Sequence, residues 1–394
     1  MSTRVSSNRL PDRLQGLESS PTLALAAKAK ALTKAGKPVL DFTAGEPDFP
    51  TPEPIKQAAI QAIGRNYTKY TPVSGIPELR QAIAAQLAQR LGVTYQPTQI
   101  LVCSGAKQAL YNALQALCQA GDEVIILSPY WVSYPPLVQL AGAKPVILQT
   151  KAEVNFQPDP EIVRSAITDA TRAIILNSPS NPTGMLIDRA CLAAVAKLAR
   201  QRDLVIISDE IYDQLVFSPH QACSILQADP SIADRTILVN GVSKSYSMTG
   251  WRIGYAAGPA SIIDAMGIIQ SHSTSNPASI SQYAALEALT GDQRMVADML
   301  REFHQRRDRL VDGLNRLPGL SCPKPQGAFY AWCHIGALGQ SAAAITSRWV
   351  DELFLVAVPG EGFGTNDYVR FSFATSPATI DEGLKRLSGW LSAP

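Results

Sequence analysis

From about residue 76 the apolar positions alternate between two rhythms. Ile76, Leu79, Ile83 and Leu87 recur three or four residues apart, as one face of an amphipathic helix does, with Pro77 suited to its first turn and Gly92 to its exit. Short β-rich runs follow at residues 100–103, 124–127, 173–177, 204–208, 237–240 and 253–257. Most are apolar on both faces, as strands covered by helices on both sides must be. Helical patterns over 107–119 and 189–201 separate several of them. The alternation predicts an α/β fold with a largely parallel sheet and right-handed crossovers.

After about residue 290 the texture changes. A long amphipathic pattern over 292–317 precedes shorter strand signals around 329–333, 355–358 and 369–373, the pattern of a second, smaller α/β domain. The first 45 or so residues hold one helical stretch, 24–35, and an extended piece. That is too little to fold alone and is expected to pack on the C-terminal part. The expected division is a large domain over 46–290 and a small domain built from 1–45 plus 291–394.

Composition narrows the function classes. The chain has 394 residues, 46% hydrophobic and 17% charged, with a net charge of +2, which suits a soluble globular protein with a sizeable core. Basic residues are scattered, and the densest group, 301–309, is interleaved with acids like a solvated helix face, so no nucleic-acid partner is expected. No apolar run approaches the roughly 18 residues that span a bilayer, and residues 1–13 are polar, without the apolar core of a signal peptide. Six dispersed cysteines without a C-x-x-C pair, and four histidines without ligand spacing, read as reduced thiols and no metal site. The expected location is the cytoplasm.

The chemistry gathers around two segments. Asp209 ends the apolar run 204–208, where open α/β sheets bind ligands, and Tyr212 follows three residues later. Alone, such an aspartate is more often a cap for the next segment. After the run 237–240 comes Ser243-Lys244, then Gly250-Trp251-Arg252-Ile253-Gly254. A lone lysine there would usually lie on the surface. Together these residues meet the needs of pyridoxal 5'-phosphate (PLP). Lys244 can attach to its aldehyde, given an amine pKa lowered by burial or nearby cations. Asp209 can keep the pyridine nitrogen protonated, and Tyr212 can donate to the ring oxygen. The turn Cys103-Ser104-Gly105-Ala106-Lys107 supplies amides at a helix start for the phosphate, completed by the Ser243 hydroxyl and the Arg252 fork.

The run from Ser243-Lys244 to Gly254 resembles the PLP-attachment signature of class I (fold type I) aminotransferases, and Asn181-Pro182-Thr183-Gly184 resembles their N-P-T-G loop. The segments beginning Thr43-Ala-Gly45-Glu-Pro-Asp, Thr68-Lys-Tyr70, Lys107-Gln-Ala-Leu, Ser128-Pro-Tyr-Trp131 and Val369-Arg370-Phe are similar to the bacterial subgroup Ib aspartate aminotransferases, some of which also use prephenate. The resemblance runs from about Pro21 to Ser376. It implies the fold type I architecture: a mostly parallel sheet in a large domain, with a smaller α/β domain from the C-terminal part and the N-terminal segment.

By matching position, the resemblance implies that Lys244 is the attachment lysine and proton carrier. Asp209 faces the pyridine nitrogen, and Tyr212 and Asn181 bond the ring oxygen. Trp131 stacks on the ring, and with Asn181 also meets the substrate. Ser104, Gly105, Ala106, Ser243 and Arg252 hold the phosphate, joined by Tyr70 from the neighbouring subunit of a homodimer with shared sites. Arg370 clamps the substrate α-carboxylate with help from the Gly45 amide. Lys107 reads the distal carboxylate, assisted by Thr22, for which a helix N-cap is an equal explanation. The implied reaction is ping-pong transfer of an amino group between aspartate or glutamate and 2-oxo acids. Rivals are a PLP-dependent C–S lyase or decarboxylase on the same fold, an aminotransferase of other specificity, or the sensing domain of a transcriptional regulator, for which the residues before the first motif leave no room for a DNA-binding module. A nucleotide-binding dehydrogenase is disfavoured because no strand is followed by G-x-G-x-x-G.

Overall fold

The computed structural model describes residues 21–392 and, before them, Leu14, Gly16 and Leu17. All six β-rich runs of the first part form strands: β2 (Ile100–Cys103), β3 (Glu123–Ser128), β5 (Thr171–Asn177), β6 (Val205–Asp209), β7 (Thr236–Gly241) and β8 (Gly254–Ala257). With β4 (Lys144–Gln149) they make one seven-stranded sheet in the order β2-β8-β7-β6-β5-β3-β4. Strands β7, β6, β5, β3 and β4 are parallel, whereas β8 runs antiparallel to both β2 and β7. Edge strand β2 is buried throughout and is found, but the sequence pattern misses the other edge strand, β4, where burial is only partial. Its side chains are half-buried or exposed, and Pro145 is tolerated there because an edge has unpaired amide positions.

Successive strand residues point to opposite faces, and the sheet buries both. Ile125, Ile174, Leu176, Ile206 and Leu238 pack on one side with Leu79, Ile83 and Leu87 of the helix Pro77–Leu91. Val124, Ile126, Ile175, Ile207, Ile237 and Val239 face the other side, against Ala109, Leu110 and Ala113 of the helix Ala106–Leu117. Helix Pro77–Leu91 ends as its sequence predicts: Gly92 takes a left-handed φ of 72° and its N–H reaches the Ala88 carbonyl.

The chain after residue 290 forms the smaller C-terminal α/β part. Its long helix covers Arg294–Leu314, shorter than the 292–317 pattern, because Asp292 accepts the Arg294 N–H at 2.9 Å ahead of the first turn. Strands β9 (Tyr330–His334), β11 (Val358–Pro359) and β12 (Tyr368–Ser372) form an antiparallel sheet in the order β11-β12-β9. The N-terminal piece joins them: β1 (Leu40–Asp41) pairs in parallel with β10 (Leu355–Val356), and Ala29 of the helix Pro21–Lys34 is buried with Val350 and Val356. Among the described residues, no helix is long and apolar enough to cross a membrane.

Candidate active site

Strands β5, β6 and β7 end side by side, with Asn177 paired to Asp209 and Asp209 to Val239. Just beyond them opens a cavity of about 500 Å³, lined from the large sheet by Asn177, Asn181, Asp209, Tyr212, Ser243 and Lys244 and from the smaller part by Gly45, Tyr330 and Arg370. That size suits a cofactor together with a small substrate.

Asp209 is 4% exposed. Tyr134 donates its hydroxyl to Oδ2 at 2.7 Å and the Ile211 amide donates to Oδ1 at 3.2 Å. Burial nevertheless pushes its pKa up to about 6, with Tyr134, Ile211 and the Lys244 charge pulling the other way. A carboxylate so poised is stabilised by a protonated nitrogen facing it from the cavity. Lys244, half-buried, donates from Nζ to the Gly45 carbonyl at 2.5 Å. Burial lowers its amine pKa to about 8; Arg252 and Arg370 act in the same direction, while Glu46 and Asp209 oppose it.

The helix start Gly105-Ala106 sits against β8 because glycines leave room on both sides. Gly105 has φ +86°, and a Cβ on it would run into the Arg252 guanidinium; a Cβ on Gly254 would run into the Ala106 amide. Arg252, itself at a positive φ of 57°, donates from Nη2 to the Ser104 carbonyl at 3.2 Å and from Nη1 to the Thr249 carbonyl at 2.9 Å. Ala106, Ser243 and Arg252 line the cavity, while Ser104 and Gly105 do not: their N–H groups donate to Gln108 Oε1 at 2.5 Å and to the Cys103 carbonyl at 2.7 Å. Helix-start amides, a hydroxyl and a fork thus converge where an anion is stabilised.

Arg370, 2% exposed, donates from Nη1 to Asn181 Oδ1 at 2.9 Å and from Nη2 to the Thr43 carbonyl at 3.1 Å. Its Nε is buried without a partner. Burial lowers its pKa from the ordinary arginine value. A buried guanidinium with a spare donor fits an incoming carboxylate. Lys107 stands 4.9 Å from the centre of the Trp131 ring, and its pKa is lowered by burial and by Arg252. Trp131 meets Tyr134 edge to face at 5.4 Å.

Of the expected residues, Tyr70 stands away from the cavity in this chain and is 90% exposed. The Thr22 side chain lies outside the described residues. Three further residues reach the site: Tyr134, Tyr330 and Glu46, whose Oε2 accepts from Thr249 Oγ1 at 2.5 Å. Tyr134 stood inside the Ser128–Tyr134 motif without a role. Tyr330 carried no signal beyond an apolar strand.

The cradle that a Cβ would fill, the buried carboxylate and the lowered lysine amine fit PLP. The family model "Aminotransferase class I and II" matches residues 37–387. An aspartate aminotransferase of Geobacillus stearothermophilus is 45% identical over 98% of this chain and 99% of its own length. An aspartate/prephenate aminotransferase of Cereibacter sphaeroides is 46% identical over 97% of this chain and 98% of its own. The solved aspartate aminotransferase of Thermus thermophilus with maleate superposes with a TM-score of 0.93, at 42% identity over 96% of this chain and 99% of that one.

Proposed function

The chain belongs to the class I and II aminotransferases, whose cofactor is PLP, and from that premise we propose that it moves an amino group between aspartate or glutamate and a 2-oxo acid in a ping-pong cycle. The observation that carries this reading is one cavity holding a lysine amine lowered to about 8, a buried carboxylate and a buried guanidinium with an unpartnered Nε. When bound, PLP supplies a carbonyl that accepts the amino group and a ring that withdraws electrons from the substrate Cα.

The roles follow from position. Asp209 would face the pyridine nitrogen, and Tyr212 and Asn181 would meet the ring oxygen. Trp131 covers the ring, where an aromatic face contributes about 0.5–1.5 kcal/mol beyond area burial. Ser104, Gly105, Ala106, Ser243 and Arg252 would hold the phosphate; of these, Ala106, Ser243 and Arg252 line the cavity. Arg370 and the Gly45 amide would orient the α-carboxylate in the cavity that also holds Lys244 Nζ. Lys244 takes the Cα proton and returns it on the other side of the transfer; a base so placed contributes on the order of 10²–10⁴-fold. Lys107 would read a distal carboxylate, with Thr22 assigned to assist it, which favours dicarboxylic substrates. The two half-reactions share this single pocket, so the first 2-oxo acid leaves before the second enters.

Tyr70, so exposed here, is assigned to the phosphate of a second copy, which makes the enzyme a homodimer with shared sites. The large domain is assigned to 46–290 and the small one to 1–45 plus 291–394, and the location to the cytoplasm. The relatives' names include both aspartate and prephenate, and prephenate also carries a second carboxylate. Rates with aspartate plus 2-oxoglutarate, with glutamate plus prephenate, and with a β-elimination substrate on one preparation test the reading. Transfer in either of the first two is expected. Elimination without transfer would overturn it.

A further inference from the structure

Tyr330 touches two site groups at once. It lies on β9 opposite Ser372 of β12, and Arg370 stands two residues before Ser372, the diagonal position within reach of an aromatic side chain. The Arg370 guanidinium lies 4.3 Å from the Tyr330 ring centre. The same tyrosine's hydroxyl is 3.0 Å from the hydroxyl of Tyr212, which follows β6 of the large sheet. Backbone bonds hold the two segments together: Phe217 N–H to the Gln326 carbonyl and Ala328 N–H to the Leu215 carbonyl, each at 2.8 Å. Buried Ala328 takes a φ of 58°, an uncommon conformation for a residue with a Cβ, at the turn into Phe329 and Tyr330.

We propose that Tyr330 is a positioning residue with two separable tasks: its ring face seats Arg370, and its hydroxyl donates to the Tyr212 oxygen so that the Tyr212 proton turns toward the cofactor's ring oxygen. This rests on the reading above, in which Arg370 takes the α-carboxylate and Tyr212 meets the ring oxygen. The first task follows from charge. Arg370 is buried, and its hydrogen-bond partners are an amide oxygen and a carbonyl, neither of them ionised. The π face of Tyr330 steadies the cation without using up its planar edge, which stays free for a carboxylate. The second task follows from counting protons. A phenol has one proton to donate and lone pairs that accept. Once Tyr212 gives its proton to the cofactor, the proton between the two phenols must come from Tyr330, and such a chain strengthens the outer bond.

Two variants separate the tasks, with Tyr212→Phe and Arg370→Leu as markers of the underlying reading. Tyr330→Phe keeps the ring and loses the donor. The pH at which the bound cofactor's visible absorbance changes is expected to rise by about 0.3–1 unit, as loss of one hydrogen bond predicts, because a donor to the ring oxygen favours the deprotonated lysine–cofactor group. Its KM for the amino donor is expected to rise less than about threefold, since the ring still seats Arg370. Tyr330→Met keeps bulk but loses the π face; its donor KM is expected to rise a further 2- to 30-fold or so, with the same absorbance shift. The proposal falls if Tyr212→Phe moves the absorbance transition and Tyr330→Phe does not, or if the folded Met variant has the KM of the Phe variant. Should the Met variant not fold, the absorbance of Tyr330→Phe alone decides. If Tyr212→Phe and Arg370→Leu move neither quantity, the underlying reading fails and Tyr330's tasks fall with it.

Discussion

Lys244 is a poor signal taken alone and a specific one in company. Its lowered amine, the buried Asp209 and the fork of Arg252 each fit a different need of one cofactor, and their candidacy was legible because they lie on two short, motif-bearing segments. Arg370 tests the substrate side. Arg370→Leu removes a buried charge-assisted partner of the carboxylate, an effect of about 2–5 kcal/mol, so kcat/KM for aspartate is expected to fall at least about 30-fold. PLP should stay bound, as its absorbance will report; a variant with unchanged kcat/KM would remove Arg370 from the clamp. Tyr134, Glu46 and Tyr330 were not legible. They meet Asp209, Thr249 and Tyr212 only after segments far apart in sequence have packed, and a hydroxyl or carboxylate on such a segment carries no local signature.

At the scale of elements, hydrophobic rhythm located the buried strands, edge strand β2 among them, and failed where burial is only partial. β4, with Lys144 and Gln149 exposed, lacks the double-faced apolar run of its neighbours. Strand direction was only partly legible: β8 is antiparallel, which pairs Gly254 with Cys103 of β2 and lays it against the start of the helix Ala106–Leu117. Close packing there shapes the turn proposed to hold the phosphate. Gly254→Ala places a methyl group against the Ala106 amide and must push the helix start outward, at a cost of about 1–3 kcal/mol. PLP affinity, measured by equilibrium dialysis, is expected to weaken by roughly 5- to 100-fold. Wild-type affinity in this variant would show that the cradle does not depend on that contact.

For the whole molecule, a second buried acid links ionisation to stability. Glu210 is 5% exposed and accepts from Ser208 Oγ at 2.8 Å and Ser224 Oγ at 2.6 Å. Burial pushes its pKa up to about 7; Ser224 and Ser208 oppose that shift, as does Arg90, while Asp213 adds to it. Between the ordinary glutamate value and about 7 the folded state keeps a proton that the unfolded state has released, so stability falls as pH rises through that window. Glu210→Gln removes this residue's share of the dependence and leaves that of Asp209. Urea unfolding at pH 5 and pH 8 is expected to show wild type losing on the order of 2–3 kcal/mol relative to the variant. Parallel behaviour of the two proteins would mean that Glu210 ionises freely.

The central claim is that one pocket takes an amino group onto the cofactor, with Lys244 moving the proton. Its most direct test is a single half-reaction: PLP-loaded protein mixed with aspartate and no acceptor, with released oxaloacetate counted. One oxaloacetate per site and then a halt is expected, with turnover restored by 2-oxoglutarate and no burst from Lys244→Ala. Oxaloacetate from Lys244→Ala at the wild-type rate, or none from the wild type, would contradict it.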